Sequence, residues 1–245
     1  MKKIEVLQNC KVEGNIVKLP ENQLDRKVYL EVKKSLELIG GKWKGGKVFG
    51  FVFNSDPTDL LNKIANGEKR NLKKEFQFFE TPDDLVEKLI YLADLKNHDT
   101  VLEPSAGQGA IIKHINNCCS VVPDCFELME TNRMILINKE LNFNLINFDF
   151  LKSDNKSYSK IIANPPFSKN QDITHVYKMF EKLNRGGRIV TIMSKHWQNS
   201  TNKKESEFRN WIEKLKAEVL EIKAEAFKKS GTSISSVIVT INKPL

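Results

Sequence analysis

The sequence predicts an α/β fold: an open, mostly parallel sheet with helices on both faces, preceded by a small basic α+β module. Three observations predict it. From about residue 76 onward, short apolar runs alternate with amphipathic helical stretches, the pattern of a parallel sheet built by crossovers. Four of those runs finish in a polar residue, Glu103, Glu127, Asp149 and Asn164, and ligands bind at strand C-termini in open α/β sheets. The charge is also uneven: residues 1–75 carry 16 Lys+Arg against 10 Asp+Glu, so they hold +6 of the net +8.

A chain of 245 residues has room for a domain of about 170 residues and a small module beside it. Its 40% hydrophobic and 29% charged content is that of an ordinary globular protein. No apolar run approaches the ~20 residues that span a bilayer. Met1-Lys2-Lys3-Ile4-Glu5 has no signal-peptide apolar region, so a cytoplasmic protein without membrane contact is expected. Cys10, Cys118, Cys119 and Cys125 lack CxxC spacing and nearby histidine pairs, which predicts free thiols and no metal site.

In the module, residues 1–70, Ile4-Glu5-Val6-Leu7 and Asn15-Ile16-Val17-Lys18-Leu19 read as a hairpin joined through Glu13-Gly14. Asp25 to Leu38 reads as a helix stopped by Gly40-Gly41. An aromatic strand, Val48 to Phe53, follows, and then a helix after Asp56-Pro57-Thr58 that ends near Asn66-Gly67. Lys42, Trp43, Lys44 and Lys47 combine basic charge with an aromatic, which suits a nucleic-acid strand; equally, Trp43 can plug the module's core. Glu68 to Glu75 is a charged linker to a second domain, residues 76–245.

That domain opens with Phe78-Phe79-Glu80-Thr81-Pro82, where Thr81 is expected as an N-cap and Pro82 as the first helical residue. Thr100 to Glu103 is a strand, and Pro104-Ser105-Ala106-Gly107-Gln108-Gly109 is a small-residue turn that lets backbone approach a ligand. Strands are expected over Val121–Glu127 and Asn144–Phe148, a helix over Asp172–Leu183 stopped by Arg185-Gly186-Gly187, and a strand over Arg188–Met193. Ser194 to Glu205 reads as a polar loop, Phe208–Ala217 as a helix, and Val219–Ala224 and Ser236–Ile241 as the last strands.

The stretch Ile161-Ile162-Ala163-Asn164-Pro165-Pro166-Phe167 organises the rest. An apolar strand is ended by two prolines, which cannot donate to a ladder and which hold Asn164 extended at the lip of the sheet with Phe167 behind it.

On these residues the chain resembles the class I S-adenosylmethionine-dependent methyltransferases, which have a Rossmann-like seven-stranded sheet. Within them it is similar to the N6-adenine DNA methyltransferases of the γ motif order over residues 76–243. The resemblance implies that Phe79, Thr81 and Pro82 meet the methionine part of the cofactor, and that Glu103, Pro104, Ser105, Ala106, Gly107 and Gly109 form its loop. Glu127 matches the ribose acid, Leu128 the residue against the cofactor's adenine, and Asp149 and Phe150 the residues at that adenine's amino group and ring. Asn164, Pro165, Pro166 and Phe167 match the catalytic signature, with Asn164 also beside the cofactor, and Phe227 matches a second aromatic against the target base. The segment Gly40-Gly41-Lys42-Trp43 resembles the leading part of small methylases of phages and other mobile elements. Unlike restriction-associated relatives, the sequence has no large C-terminal target-recognition domain.

The implied activity is methyl transfer to adenine N6 in DNA by a monomer, with S-adenosyl-L-methionine as cofactor. The partner is DNA, met partly through Lys42 and Trp43, and no metal or membrane is involved. Two alternatives stay open: methylation of an RNA base or a protein glutamine, and a non-catalytic nucleic-acid-binding or antirestriction module.

Overall fold

The computed structural model describes residues 2–53, 56–68, 80–223, 226–227 and 235–245. The chain divides into two compact units, Met1–Phe78 and Phe79–Leu245. In the first, Lys3–Gln8 is a helix, α1, which corrects the strand expected at Ile4–Leu7. Glu5 accepts from the Lys2 backbone N–H at 2.8 Å and closes a helical turn. Val6 and Leu7 are both buried, whereas consecutive residues of a strand would face opposite sides.

The hairpin comes one step later: β1, Lys11–Glu13, pairs antiparallel with β2, Ile16–Lys18. Asp25 caps α2, Arg26–Leu38, by accepting from the amides of Lys27 and Val28. β3, Lys42–Lys44, and β4, Gly50–Val52, complete an antiparallel sheet of order β1-β2-β4-β3, and α3, Thr58–Ala65, follows. Val17 and Phe51 from the sheet meet Val6, Val32, Leu36, Leu61 and Ile64 from the helices in one apolar core. Beyond Glu68, the expected linker lies outside the described residues.

The second unit begins with α4, Asp83–Ala93, then β5, Val101–Glu103, α5, Ala110–Cys118, β6, Asp124–Phe126, α6, Glu130–Ile137, and β7, Asn144–Asn147. It continues through β8, Tyr158–Ala163, α7, Gln171–Glu181, β9, Leu183–Ser194, α8, His196–Asn199, and α9, Lys203–Lys214, to β10, Glu218–Ile222, and β11, Ser236–Asn242. The sheet order is β10-β11-β9-β8-β5-β6-β7, parallel except that β11 runs antiparallel to both neighbours. Alternation along the strands explains the two cores. Ile161, Ala163, Ile189, Val237 and Val239 meet Ile173, Val176, Phe208 and Ile212 on one face. Ile162, Val190, Ile192 and Ile238 meet Leu85, Val86, Leu89, Ile111 and Ile115 on the other.

Two expectations are corrected here. Arg185-Gly186-Gly187 does not stop α7, which ends at Glu181; these residues already belong to β9, at an irregularity in its pairing with β8. Gly187 is needed because a Cβ there would stand 2.8 Å from the Ser159 carbonyl oxygen. Ser194 to Glu205 is not an open loop but contains α8 and the start of α9. Trp197 is buried edge-on against Phe208, with ring centroids 5.2 Å apart, and that packing folds the segment.

Candidate active site

The strand order reverses at β5, which has β6 on one side and β8 on the other, and the C-terminal ends of β5, β6 and β8 open on that switch point. Glu103 ends β5 and is 2% exposed, and its Oε2 has no hydrogen-bond partner among the described residues. Burial, reinforced by the nearby Glu127 carboxylate, pushes its carboxyl well above the usual range. Behind it the chain turns sharply: Gly107 has φ +56, and the Ala106 N–H reaches the Phe126 carbonyl at 2.9 Å. Ala106, Gly107, Gly109 and Pro104 are buried in this turn, and Ser105 is half-buried.

Gly109 has φ +85 and heads α5. A Cβ there would stand 2.6 Å from Leu136 Cδ1 and 2.9 Å from Leu141 Cδ1, so this glycine serves the packing of α5 on its neighbours.

Glu127 follows β6, with its Oε2 accepting from the Gly107 N–H and its Oε1 from the Met129 N–H, each at 2.7 Å. Burial raises its carboxyl despite those two amides and Asn132. Leu128, the next residue, is 58% exposed.

Asp149 is half-buried and caps a single 3-10 turn, Phe150–Lys152, accepting from the Leu151 N–H at 3.0 Å. That turn rotates Phe150 inward. It is 3% exposed, edge-on to Phe126 and stacked on His175, so the aromatic surface presented at this strand end is Phe148, which is 53% exposed. Arg133 lies over the Phe148 ring, 4.0 Å from its centroid. Sequence reasoning had Phe148 only as the last residue of a strand; the exposed aromatic beside an acid was the signal available.

At the end of β8, Asn164 is half-buried, Pro165 buried, and Pro166 and Phe167 half-buried. Asn164 Nδ2 donates to Thr81 Oγ1 at 3.0 Å. Thr81 therefore does not cap α4 with its side chain: Pro82 takes the cap position, and the buried Thr81 hydroxyl is aimed at Asn164. Phe167 packs against the same apolar cluster that holds Phe227, which is 3% exposed. Phe79 lies outside the described residues.

Two buried acids that the sequence left unremarked brace the chain after the corner. Asp172, 1% exposed, accepts from both the N–H and the hydroxyl of Ser194 at the end of β9, at 3.0 and 2.8 Å. Glu205, also 1% exposed, accepts from Asn170 Nδ2 at 2.8 Å. Lys169 and Asn170 have φ of +53 and +57, consecutive non-glycine residues in the left-handed region.

Lys42 and Trp43 sit in the first unit and point to opposite sides of its sheet. Lys42 is exposed, while Trp43 turns inward, edge-on to Phe51 with centroids 5.1 Å apart.

The crevice thus offers backbone amides at a glycine turn, two buried acids of which Glu103 has an oxygen without a donor among the described residues, exposed apolar surface at Leu128 and Phe148, and an oriented amide at Asn164. That set fits a nucleoside ligand with hydroxyl donors, an aromatic ring and a positive charge. Among the described residues no group of three or more His, Cys, Asp or Glu is placed to hold a metal ion, and no helix is long and apolar enough to cross a membrane.

No family model and no curated protein sequence matches the chain. Solved structures do. A protein described as a class I S-adenosylmethionine-dependent methyltransferase from Listeria monocytogenes superposes with a TM-score of 0.56 at 11% identity, over 77% of this chain and 67% of that one. The modification subunit of a protein described as a type I restriction enzyme, from Vibrio vulnificus, gives 0.54 at 14% identity, over 98% of this chain and 60% of that one. A protein described as an RNA methyltransferase from Pyrococcus horikoshii gives 0.51 at 18% identity, over 69% and 89%. The second unit therefore has the Rossmann-like class I methyltransferase fold, with its seven-stranded, mostly parallel sheet.

Proposed function

We propose that this chain transfers a methyl group from S-adenosylmethionine to the exocyclic N6 of adenine in DNA. The observation that carries the reading is the orientation of Asn164. Its Nδ2 is committed to Thr81 Oγ1 at 3.0 Å, which turns the side-chain oxygen away from Thr81, at a strand end stiffened by two prolines. A restriction-enzyme modification subunit among the structural neighbours favours DNA as the substrate.

The fold's cofactor fits the residues present. Glu103 and the turn from Pro104 to Gly109 would hold its methionine end, Glu127 the ribose hydroxyls, and Leu128 with Asp149 the adenine. When bound, S-adenosylmethionine supplies an electrophilic methyl and leaves as S-adenosylhomocysteine. Everything else falls to the protein.

The amino nitrogen of adenine is a weak nucleophile because its lone pair is delocalised into the ring. The Asn164 side-chain oxygen and the Pro165 carbonyl accept its two N–H bonds and favour the pyramidal form, in which the lone pair is localised as in the transition state. The bond from N6 to the methyl carbon forms, and one N6 proton then leaves to water, so no strong base is required. The target base leaves the duplex stack to reach the corner, and Phe167 offsets part of the unstacking. Phe227 supports that ring through the shared apolar cluster.

The test is transfer of labelled methyl to DNA, tRNA, rRNA and a glutamine peptide in parallel, with Asn164→Ala alongside. Label in DNA adenine, abolished in the variant while cofactor binding persists, is the expected result. Label in RNA or peptide instead moves the substrate class, turnover by Asn164→Ala refutes the mechanism, and no transfer to any of them leaves a binding module.

A further inference from the structure

The sheet of the first unit carries a row of lysines. Lys11 pairs with Lys18, and Lys44 pairs with Gly50. Val17 pairs with Phe51, so the same antiparallel register brings Lys18 beside Gly50, and a Cβ on Gly50 would stand 3.5 Å from Lys18 Cγ. The row therefore reads Lys11, Lys18, Gly50, Lys44 across all four strands. Neighbouring residues of a strand face opposite sides, so this row is turned away from Val17 and Phe51 in the core. Lys42 adds to the same face two residues along β3.

Lys11, Lys42 and Lys44 are exposed and form no ion pair among the described residues. Lys18 is bound to Glu13 at 2.6 Å, the only acid in these four strands. Gly50 in the middle of the row is buried, and a Cβ there would stand 2.8 Å from Ile16 Cγ2. The side of the sheet that carries Trp43 differs in character. Phe49 is 70% exposed with φ +37, a conformation that costs a non-glycine residue free energy, and Trp43 buttresses its ring edge-on with centroids 5.2 Å apart.

We infer that the lysine face docks the phosphate backbone of duplex DNA, a contact carried by a different unit from the candidate active site. It rests on the reading of the chain as a DNA methyltransferase. Strands lie about 4.8 Å apart, so the row spans roughly 14 Å. A row of that length reaches several successive phosphates of one strand.

The experiment measures binding of the full chain to a duplex oligonucleotide across a salt series, beside methyl transfer. The triple variant Lys11→Gln, Lys42→Gln, Lys44→Gln is expected to lower the magnitude of the log–log salt slope by about 2.7 and to weaken binding about tenfold. The KM for DNA rises accordingly, while kcat at saturating DNA and cofactor affinity stay unchanged. Phe49→Ala, against Trp43 on the other side of the sheet, leaves binding and slope unchanged. An unchanged slope, or an equal fall in the charge-matched control Lys27→Gln, Lys34→Gln, Lys63→Gln, overturns the inference. Methylation of duplex DNA with the triple variant unimpaired removes this surface and leaves the proposed activity. Binding through these lysines without methyl transfer does the reverse, and a wild-type chain that binds RNA but not DNA removes both.

Discussion

Replacing Thr81 by Val keeps the side chain's shape and removes the oxygen that accepts from Asn164 Nδ2 at 3.0 Å. Thr81 is 7% exposed, so little water can replace the lost acceptor from its side. A neutral hydrogen bond in such a setting contributes about 0.5–1.5 kcal/mol net, with the larger figure where the stranded donor stays partly buried, as Asn164 is. At about 1.4 kcal/mol per factor of ten in rate, Thr81→Val should lower kcat for methyl transfer roughly 3- to 10-fold. Cofactor affinity, read by calorimetry, should hold within about twofold, and Thr81→Ser should restore the rate. The double variant Thr81→Val, Asn164→Ala should be no slower than Asn164→Ala alone, because the two residues act as one unit. The opposite pattern, weaker cofactor binding with kcat intact, would mean that Thr81 serves the methionine end of the cofactor, and the orientation argument would fall.

Gly109→Ala combines a left-handed φ, costing about 1–2 kcal/mol, with overpacking against Leu136 and Leu141, costing about 1–3 more. Thermal unfolding should shift down by about 5–15 °C; a shift under about 2 °C would mean that the neighbours yield freely. The Glu103 carboxyl is raised by burial, so the folded chain keeps a proton that the unfolded chain releases as pH climbs past the ordinary carboxylate value. Stability therefore declines with rising pH through that window, and the urea midpoint of Glu103→Gln should gain on wild type between pH 5 and pH 8; a constant gap refutes the shift. Asp172→Ala strands the N–H and hydroxyl of Ser194 in a dry site, at about 1–3 kcal/mol each, and should lower the urea midpoint clearly, whereas Asp172→Asn should recover part of it.

What could be read in advance was local. Asp25 to Leu38 reads as a helix, and the structure has one from Arg26 to Leu38, with Asp25 as its cap. The polar residues closing the apolar runs predicted where four strands end, and Glu103, Glu127, Asp149 and Asn164 stand at or just beyond the ends of β5 to β8, because strand ends and their breakers are neighbours in the chain. What could not be read depended on distant partners. Ile4 to Leu7 alternates like a strand, yet helices packing on Val6 and Leu7 decide its state. Trp197 looks like a loop residue until Phe208 is placed beside it. Phe150 and Phe148 are two positions apart and equally apolar, and only the turn capped by Asp149 determines which of them is buried. Thr81 and Asn164 meet across 83 residues, a contact no local pattern encodes.

The same separation explains why the corner can be rigid at all. A proline pair stiffens the backbone but leaves the amide of Asn164 free to turn about its own bonds, and a misplacement of about 1 Å at a reacting group costs on the order of a hundredfold in rate. The chain supplies the missing constraints from three directions. Thr81 fixes the amide from in front. Behind the corner, Lys169 and Asn170 occupy a backbone region that two non-glycine residues would leave if released. Glu205 holds Asn170 from 35 residues away, and Asp172 ties the start of α7 to Ser194, 22 residues on, at the end of β9. Each of these acids is buried, and burial penalises a carboxylate unless donors meet it, so neither is explained by solubility. Their placement is accounted for if the strained turn must stay where it is, and the group standing immediately before that turn is the Asn-Pro-Pro-Phe corner.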